Sequence, residues 1–397
     1  MNILFILKQF PRYGGVEKMT ITLSNSLVKI GYNVCILSLF KGNKCEYMSR
    51  LDSKVVCLNM PNEKLFSREN RRHFLLVLQE NEIDVIINQN MDYEVNKLML
   101  KLKGNVQGNG KYFPAFITVV HNDPFVDFKC LDTMIKGRGV KNVLKRMLKP
   151  IYQVYIHNVV RRSYIMASLV SDKMVVLSKS YVSSCAELSR CEYEKIIAIP
   201  NGFNVDDKVD GLFLNRKKLL YVGRLVETPK KISELINIWK YLCEEFLDWD
   251  LLIVGDGPDV GIYKSLVKSE NIKNVYFEGS TNSPEYYFNQ STVVCLTSES
   301  EGFPMVLIEG MKYGCIPICY DSFSAVDDII DDGVNGYVIP FNKQNEYICK
   351  LRYLMSLDDT SLCYMRNNAI KKSELYDINK VVFECCLLYT SPSPRDA

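Results

Sequence analysis

The chain has 397 residues, of which 47% are hydrophobic and 24% are charged. This length predicts two or three domains, and this composition excludes a disordered or collagen-like protein. The apolar runs extend over only a few residues each, so none of them predicts a helix that crosses a membrane. The opening run at 3–7 is too short for a signal peptide, and we therefore expect a cytoplasmic protein.

The cysteines predict neither disulfides nor a metal site. The chain has 14 of them, and they stand singly within apolar, strand-like runs, as Cys35, Cys57 and Cys295 do. This placement is typical of reduced core residues. No CxxC pair occurs and the chain has only three histidines, so we expect no bound metal.

Apolar runs alternate with helix-period segments along the first half of the chain. Between the first two runs, apolar residues recur every three or four positions and Gly31 follows, which is typical of a helix with a glycine cap. The alternation predicts a parallel sheet wrapped by helices. The predicted strands are 3–7, 34–39, 55–58, 85–87, 116–120, 174–177 and 196–199.

A second series of strand-like runs follows a polar segment at 201–215. The predicted strands are 219–222, 251–254, 275–277, 293–296 and 316–319. We predict an α/β protein with two Rossmann-like, doubly wound parallel-sheet domains that face each other across a ligand-binding cleft. The predicted parts are an N-terminal domain at 1–203, a C-terminal domain at 204–372, a helix at 373–388 that packs back toward the N-terminal domain, and a disordered or foreign tail at 389–397.

Charge is divided unevenly along the chain. Residues 1–205 carry 29 basic and 17 acidic side chains, whereas residues 206–397 carry 20 and 29. The segment 133–171 contains eight basic residues, interleaved with apolar ones, and no acidic residue. Such an amphipathic segment favours an anionic membrane surface or a lipid diphosphate over nucleic acid. A solvated helix face is the alternative interpretation.

Two places in the first half have the residue types of a ligand site. Gly14 and Gly15 lie between the first strand and its helix, where glycines let an anion approach the backbone closely. A tight turn explains the same two glycines equally well. His121 follows the strand at 116–120, so we expect it at the sheet edge where ligands bind.

Two turns in the second half carry candidate groups for a diphosphate. Arg224 follows the first strand of this half, and Lys230 and Lys231 precede the next helix, so cations flank a strand-to-helix turn. Gly255 and Gly257 follow the second strand. They lack the third glycine of the dinucleotide fingerprint, which disfavours NAD.

The strongest local signal is the run SESEGFPMVLIE, which follows the fourth predicted strand of the second half. Pro304 suits the first position of a helix, so Gly302 and Phe303 would lie at a helix N-terminus that can bind a diphosphate. Glu301 and Glu309 would flank that anion, one near a sugar ring and the other near a ribose. Alternatively, the two glutamates cap and solvate a surface helix, although a carboxylate without a binding partner on a packed helix would destabilise the fold.

Together, these residues and the segment 200–202 (PNG) resemble the retaining glycosyltransferases of family 4, which have the GT-B fold. The resemblance covers residue 1 to about 388 and implies roles for individual residues. The implied diphosphate ligands are Gly15, Arg224, Lys230, Gly302 and Phe303, with Gly255 and Gly257 in the nucleotide loop. Glu309 would bind the ribose and Glu301 the transferred sugar, and His121 would act beside that sugar at the point of transfer.

The resemblance also implies the reaction. A hexose would pass, with retention, from a nucleoside-diphosphate sugar to a saccharide, and the leaving diphosphate would take the acceptor proton without metal or cofactor. We expect a lipid-linked acceptor in surface polysaccharide biosynthesis, such as capsule or lipopolysaccharide, on the inner face of the plasma membrane. A sugar-nucleotide 2-epimerase and a non-catalytic sugar-nucleotide binding module are the alternatives.

Two departures from the family pattern concern the anion site. Many members have glycine at the position of Pro304. Proline has no backbone N–H, so this chain has one N–H donor fewer at that position. The lysines are displaced from Arg224, so that either Lys230 or Lys231 is the phosphate ligand. Asp248 and Asp250 match the metal-binding motif of the other sugar-transferase architecture, but they precede a predicted strand, and we interpret them as a surface turn.

Overall fold

The structure is a computed structural model, and it describes residues 1–12, 14–43, 46–108, 112–125, 149–204 and 216–390. The described residues form two compact units. The first unit consists of the described residues up to 204 together with 377–390, and the second consists of 216–376. Residues 133–148, which hold five of the eight basic residues of the segment 133–171, lie outside the described residues.

The first unit contains a seven-stranded parallel sheet in the order β3-β2-β1-β4-β5-β6-β7. Its strands are β1 (Asn2–Phe10), β2 (Asn33–Lys41), β3 (Val56–Asn59), β4 (Val85–Asn88), β5 (Ala115–Val120), β6 (Lys173–Val176) and β7 (Ile196–Ala198). Its helices up to residue 204 are α1 (Gly15–Lys29), α2 (Arg68–Glu80), α3 (Tyr93–Gly108), α4 (Lys149–Val170) and α5 (Tyr181–Ser189), with short 3-10 helices at Glu46–Arg50 and Tyr193–Lys195.

Burial on both faces of the sheet accounts for the continuous apolar runs. Ile3, Leu4 and Phe5 of the central strand β1 are fully buried, although successive side chains point to opposite faces. The predicted glycine cap of α1 is confirmed, since Gly31 has a φ of +90° and its N–H bonds to the carbonyl of Val28.

The second unit contains a six-stranded parallel sheet in the order β10-β9-β8-β11-β12-β13. Its strands are β8 (Lys218–Val222), β9 (Asp250–Val254), β10 (Val275–Gly279), β11 (Val293–Leu296), β12 (Ile316–Asp321) and β13 (Tyr337–Pro340). Its helices are α6 (Glu227–Lys230), α7 (Ile232–Lys240), α8 (Val260–Ser269), α9 (Pro284–Asn289), α10 (Met305–Lys312), α11 (Val326–Ile329), α12 (Gln344–Met355) and α13 (Asp359–Ser373), followed by a 3-10 helix at Glu374–Tyr376.

Both sheets have the strand order of doubly wound nucleotide-binding folds, so the predicted fold class is confirmed. In each sheet the order reverses beside the first strand of the unit, between β1 and β4 and between β8 and β11. Ligands bind at such reversal points, outside the carboxyl ends of the strands. Among the described residues, no helix combines the length and the apolarity needed to span a bilayer.

Two local predictions were wrong because edge strands are less buried than central ones. The sequence analysis missed β13, an edge strand that alternates buried and more exposed residues and ends at Pro340. Cys57 was predicted in the core, but it lies on the edge strand β3 and is exposed. Cys35 and Cys295 are buried as predicted, and the cysteines of the described residues are free thiols.

The last helix, α14 (Ile378–Thr390), packs into the apolar core of the first unit, beside residues of α1 and β1. Its start is fixed by the Ile378 N–H, which bonds to the carbonyl of Phe203 at 2.9 Å. Gly202 permits this approach, since a Cβ there would lie 2.9 Å from the Ile378 Cα. The helix continues to residue 390, so residues 389–390 belong to it and not to the predicted tail, whose remainder lies outside the described residues.

Candidate functional site

The predicted site residues of the second unit lie on loops at one edge of its sheet. Strands β8 and β11 are parallel neighbours, with Leu219 opposite Val293, so the loops that follow them start side by side. The loop after β9, the other neighbour of β8, starts at the same edge. The described structure thus gathers the segments 223–231, 255–259 and 297–304 at the reversal point.

The loops after β8 and β9 lie in direct contact, and two glycines permit it. A Cβ on Gly255 would lie 1.8 Å from the carbonyl oxygen of Gly223, and one on Gly257 would lie 2.1 Å from that of Leu225. Gly255 also has a φ of +141°, which residues other than glycine rarely adopt. Packing between the loops therefore requires both glycines, and their contact with a nucleotide stays a prediction.

Arg224 sits on the first of these loops with its side chain exposed. Its carbonyl accepts a hydrogen bond of 3.2 Å from the hydroxyl of Tyr221, which is fully buried in β8. The backbone of Arg224 is thus anchored to the core while its guanidinium is accessible to solvent. Such a group can meet an anion without prior displacement of a core contact.

Lys230 and Glu301 form an ion pair across two loops. The Lys230 Nζ lies 2.6 Å from the Glu301 Oε1, and the Ser298 hydroxyl donates to the same oxygen at 2.6 Å. The structure therefore brings together two residues that the sequence analysis singled out separately. A carboxylate with two donors is held in one orientation, and its partner ammonium is held beside it.

A second ion pair lies next to the first. The Lys231 Nζ is 3.0 Å from the Glu299 Oε1. Sequence reasoning considered Lys231 but missed Glu299, because nothing in the spacing of the chain indicates that the loops at 229–231 and 297–301 meet. The Glu299 N–H donates to the Pro229 carbonyl at 2.8 Å, and the Thr297 hydroxyl donates to the Lys231 carbonyl at 2.9 Å, which fixes that meeting.

Helix α10 begins one residue later than predicted. Pro304 is the N-cap, with a ψ of 86° that is not helical, and Met305 is the first helical residue. Gly302 and Phe303 precede this helix as predicted, but the Phe303 side chain is buried and its ring lies 5.7 Å from that of Tyr376. The Phe303 side chain is therefore a packing group, so any contact with a diphosphate would involve its backbone.

Glu309 lies within α10 and is half-buried, whereas its neighbours Ile308 and Gly310 are fully buried. The tight packing at Gly310, where a Cβ would lie 3.1 Å from the Val294 side chain, fixes α10 against β11. Glu309 is thus on a firmly packed helix, as the sequence predicts. Its role toward a ribose stays a prediction.

In the first unit, His121 follows β5 at the carboxyl edge of the sheet, and its Nε2 hydrogen bonds to the Gln89 Oε1. An amide oxygen only accepts, so Nε2 carries the hydrogen and Nδ1 is left as an acceptor. Burial lowers the pKa of His121 to about 4, so the ring is neutral near pH 7. Sequence reasoning missed Gln89, although a polar residue directly after a buried strand is a usable signal.

Buried amides hold the loop that carries Gln89. The Asn90 side chain donates to the backbone carbonyl of Ile6 at 2.9 Å, and the Asn88 side chain donates to the side-chain oxygen of Asn96 at 2.9 Å. These three asparagines are nearly or fully buried. A satisfied buried network of this kind rigidifies its surroundings, so the amides fix the position of Gln89.

Gly15 is the first residue of α1 and is exposed. A Cβ there would meet no atom of the described residues within 4 Å, so packing against them does not explain why this residue is glycine. By contrast, a Cβ on Gly14 would lie 2.2 Å from the Glu17 carboxylate. Gly15 is therefore exposed at the start of α1, where the first N–H groups of a helix lack partners within the helix.

Asp248 and Asp250 lie away from these loops. Asp250 is the first residue of β9, at the amino end of the strand, and Asp248 pairs with Lys217. Among the described residues, no group of three or more His, Cys, Asp or Glu side chains is arranged to hold a metal ion.

Comparison with known proteins identifies the class of the second unit. Residues 203–373 match the protein family described as "Glycosyl transferases group 1". This range contains Arg224, Lys230, Glu301 and Glu309. The chain therefore carries a glycosyltransferase group 1 domain.

Solved structures identify the fold of the whole chain. The lipopolysaccharide outer core galactosyltransferase WaaB, in apo form, has a TM-score of 0.69 and 19% identity, with 98% of each chain covered. HepE of Anabaena, in complex with UDP-glucose, has a TM-score of 0.73 and 15% identity, covering 99% of this chain and 100% of that one. The two parallel-sheet α/β units are thus those of the GT-B fold.

Two relatives add similarity in sequence. The chain is 26% identical over 384 residues to an uncharacterized glycosyltransferase of Haemophilus influenzae, covering 96% of this chain and 98% of that protein. It is 30% identical over 207 residues to the amylovoran biosynthesis glycosyltransferase AmsD of Erwinia amylovora, covering 50% of this chain and 56% of that protein. The chain thus has homologues named for bacterial polysaccharide biosynthesis.

Proposed function

We propose that this protein is a retaining glycosyltransferase that moves a hexose from a nucleoside-diphosphate sugar to a saccharide acceptor. The observation that carries the proposal is the Lys230–Glu301 ion pair, which lies inside the glycosyltransferase group 1 domain at the reversal point of its sheet. The Lys230 ammonium is suited to the diphosphate of such a donor, and the adjacent Glu301 carboxylate is suited to its sugar.

In this proposal, donor binding exchanges the partners of the ion pair. The Lys230 ammonium and the exposed Arg224 guanidinium bind the diphosphate, aided by N–H groups at the start of α10. Glu301, released from Lys230, accepts a hydrogen bond from a sugar hydroxyl. Negative charge grows on the leaving diphosphate during transfer, so cations preset beside it stabilise the transition state more than the bound donor.

The remaining roles follow the same division. We assign the ribose to Glu309, the nucleotide to the loop of Gly255 and Gly257, and a phosphate contact to the open backbone at Gly15. His121, neutral and with Nδ1 free to accept, would contact a hydroxyl of the transferred sugar. The acceptor hydroxyl oxygen forms the new bond to the anomeric carbon as the bond from that carbon to the diphosphate oxygen breaks, and the acceptor proton goes to that diphosphate oxygen. This scheme requires no metal and no further cofactor.

The relatives guide the choice of donor and acceptor. The solved complex of HepE contains UDP-glucose, and other similar proteins are named for amylovoran and lipopolysaccharide synthesis. We therefore propose a sugar nucleotide as donor and a lipid-linked saccharide of surface polysaccharide biosynthesis as acceptor. The reaction would take place in the cytoplasm, at the inner face of the membrane.

The described part of the basic segment supports membrane association. Helix α4 exposes apolar side chains in its first half, among them Ile151 at 69%, Val154 at 61% and Tyr155 at 60%. It also carries Arg161 and Arg162 and no acidic residue. The protein should sediment with phosphatidylglycerol vesicles at low salt and stay in the supernatant at high salt. Equal sedimentation with neutral vesicles, or none with either, would contradict this part of the proposal.

Product analysis tests the function. The protein is incubated with UDP-glucose, UDP-galactose or a GDP-hexose, each with and without a lipid-linked saccharide extract, and the products are separated by chromatography. We expect acceptor-dependent release of nucleoside diphosphate and an α-linked product from an α-linked donor. Conversion of the donor alone to an isomer would indicate an epimerase, and binding without turnover would indicate a non-catalytic module.

A further inference from the structure

Two lysine–glutamate pairs join the loop after β8 to the loop after β11. The Lys230 Nζ lies 2.6 Å from the Glu301 Oε1, and the Lys231 Nζ lies 3.0 Å from the Glu299 Oε1. The pairs are equally sheltered, since the lysine side chains are 25% and 26% exposed and both glutamates are 12% exposed. Solvent screens pairs at this depth less than surface pairs. Only the first pair has a role in the proposed reaction.

The backbone around the second pair is fixed from both loops. Lys231 has a φ of +55°, in the left-handed region, and its N–H bonds to the carbonyl of Glu227 at 2.8 Å. Its own carbonyl accepts from Thr297, while the Glu299 N–H donates to the carbonyl of Pro229. These hydrogen bonds hold the two backbone segments together, so Lys231 and Glu299 lie where their side chains can meet.

We propose that Lys231 and Glu299 are a positioning pair for the donor site. Their contact holds the Lys231 ammonium away from Glu301, the next carboxylate on the same loop. Glu301 then keeps one cationic lysine partner, Lys230, which the diphosphate takes over when the donor binds. The inference rests on the proposed function, and it assigns Lys230 instead of Lys231 as the phosphate ligand.

The substitution Glu299→Gln distinguishes a positioning pair from a phosphate-binding Lys231, because the two roles predict opposite changes in donor affinity. It keeps the shape of the side chain but removes the charge, so Lys231 is free to compete for Glu301. Titration calorimetry with UDP-glucose, or with GDP-mannose if the wild-type protein binds guanine nucleotides, should show affinity lowered about tenfold. If Lys231 bound the phosphates itself, loss of the nearby carboxylate would tighten binding.

Reversal of the pair tests whether the contact itself matters. The double variant Lys231→Glu with Glu299→Lys restores an attraction between the same positions, and donor affinity should return to within about threefold of wild type. As a matched control, Glu270→Gln breaks the pair of Lys240 and Glu270, which is 2.6 Å long and 42% and 44% exposed. This control should leave donor affinity unchanged.

Melting temperatures and the wild-type titration distinguish the remaining outcomes. A merely structural pair would lower the melting temperature of Glu299→Gln and leave the Kd of the folded protein unchanged. Unchanged or tighter donor binding in Glu299→Gln overturns the positioning role, and the proposed function survives. Failure of the wild-type protein to bind any sugar nucleotide overturns the proposed function as well.

Discussion

The carboxyl edges of the two sheets differ in the polar groups they carry. In the second unit the edge is charged, with the exposed Arg224 beside the ion pair of Lys230 and Glu301. In the first unit the edge residue His121 is neutral and bonds to the neutral side chain of Gln89. Both edges result from the same strand order, so the fold sets where the polar loops lie and the residues after each strand set their chemistry.

The contrast assigns different ligands to the charged residues of the second edge and to His121 of the first, and Gly15 of the first unit keeps its proposed phosphate contact. Cations and helix N-termini suit a diphosphate, whereas an uncharged imidazole and amides suit hydroxyl groups. Charge is present on the first edge too, since Lys8 of β1 pairs with Asp92 after β4 at 2.7 Å. That pair is more exposed than the Lys230–Glu301 and Lys231–Glu299 pairs, with its lysine side chain 58% exposed, and we assign it no role in binding.

The largest effect should follow from removal of either cation, Lys230 or Arg224, at the edge of the second sheet. Lys230→Met keeps the length of the side chain but removes the cation that the proposal places on the donor diphosphate, and Arg224→Ala removes the other. Each should lower kcat/KM for the donor by about 10²–10³-fold, as removal of a transition-state donor commonly does. Initial rates of nucleoside diphosphate release measure this effect. Lys240→Met is the control and should retain the wild-type rate.

The next effect concerns the contact between loops that supports the charged edge. In Gly255→Ala, the new Cβ would lie 1.8 Å from the backbone carbonyl of Gly223, and the loop would have to move. We expect a loss of about 2–4 kcal/mol in the free energy of unfolding, measured by urea denaturation, together with loss of donor turnover.

A matched glycine serves as the control for that substitution. Gly261 lies in α8, and within the part of the chain that the structure describes a Cβ there would meet no atom within 4 Å. Gly261→Ala should therefore change the free energy of unfolding by less than about 1 kcal/mol, in the stabilising direction. Equal losses from both substitutions would show that the close approach of the two loops is not what makes Gly255 necessary.

His121 at the edge of the first sheet should give a characteristic pH dependence of stability. Burial lowers the pKa of His121 to about 4, below the ordinary value near 6.5, so between these pH values the unfolded chain binds the additional proton. The free energy of unfolding should therefore fall as pH drops from about 6.5 to 4, and fall less in His121→Gln. Urea melts at several pH values measure this. Parallel curves for the two proteins would contradict the depressed pKa.

The smallest effect should come from Gln89, which acts on His121 and not on the donor. Gln89→Leu removes the acceptor for the Nε2 hydrogen, so the ring loses its fixed orientation. We expect kcat to fall about three- to tenfold with little change in donor KM, since one neutral hydrogen bond contributes about 1 kcal/mol. A change in donor KM as large as that of Lys230→Met would remove the contrast between the two edges.

The sequence predicts the sheets well because buried parallel strands are continuous apolar runs, as at residues 3–7 of β1. It fails at edge strands, where burial is partial, as at β13 and at Cys57. For the candidate site, position after a strand was enough to place His121 and Arg224 at the carboxyl edges of their sheets, while their roles toward a ligand stay predictions. These residues need no knowledge of tertiary contacts to be found.

Residues whose role depends on a neighbouring loop could not be found in the same way. Glu299 and Lys231 are far apart in the chain and meet only because β8 and β11 are neighbours in the sheet. The packing of the Phe303 ring on Tyr376 depends in the same way on segments that are distant in the chain. The predicted diphosphate contact of Phe303 concerns its backbone and stays a prediction. In both cases the contact joins distant segments, which the order of residues along the chain does not encode locally.

Titration of the wild-type protein and of Lys230→Met with UDP and with GDP tests the central claim most directly. One of the two nucleotides should bind the wild-type protein, and Lys230→Met should weaken that binding by at least about tenfold, since a charge-assisted contact to phosphate is lost. Equal affinities of the two proteins, or no binding of either nucleotide, would contradict a diphosphate site at the charged edge of the second unit.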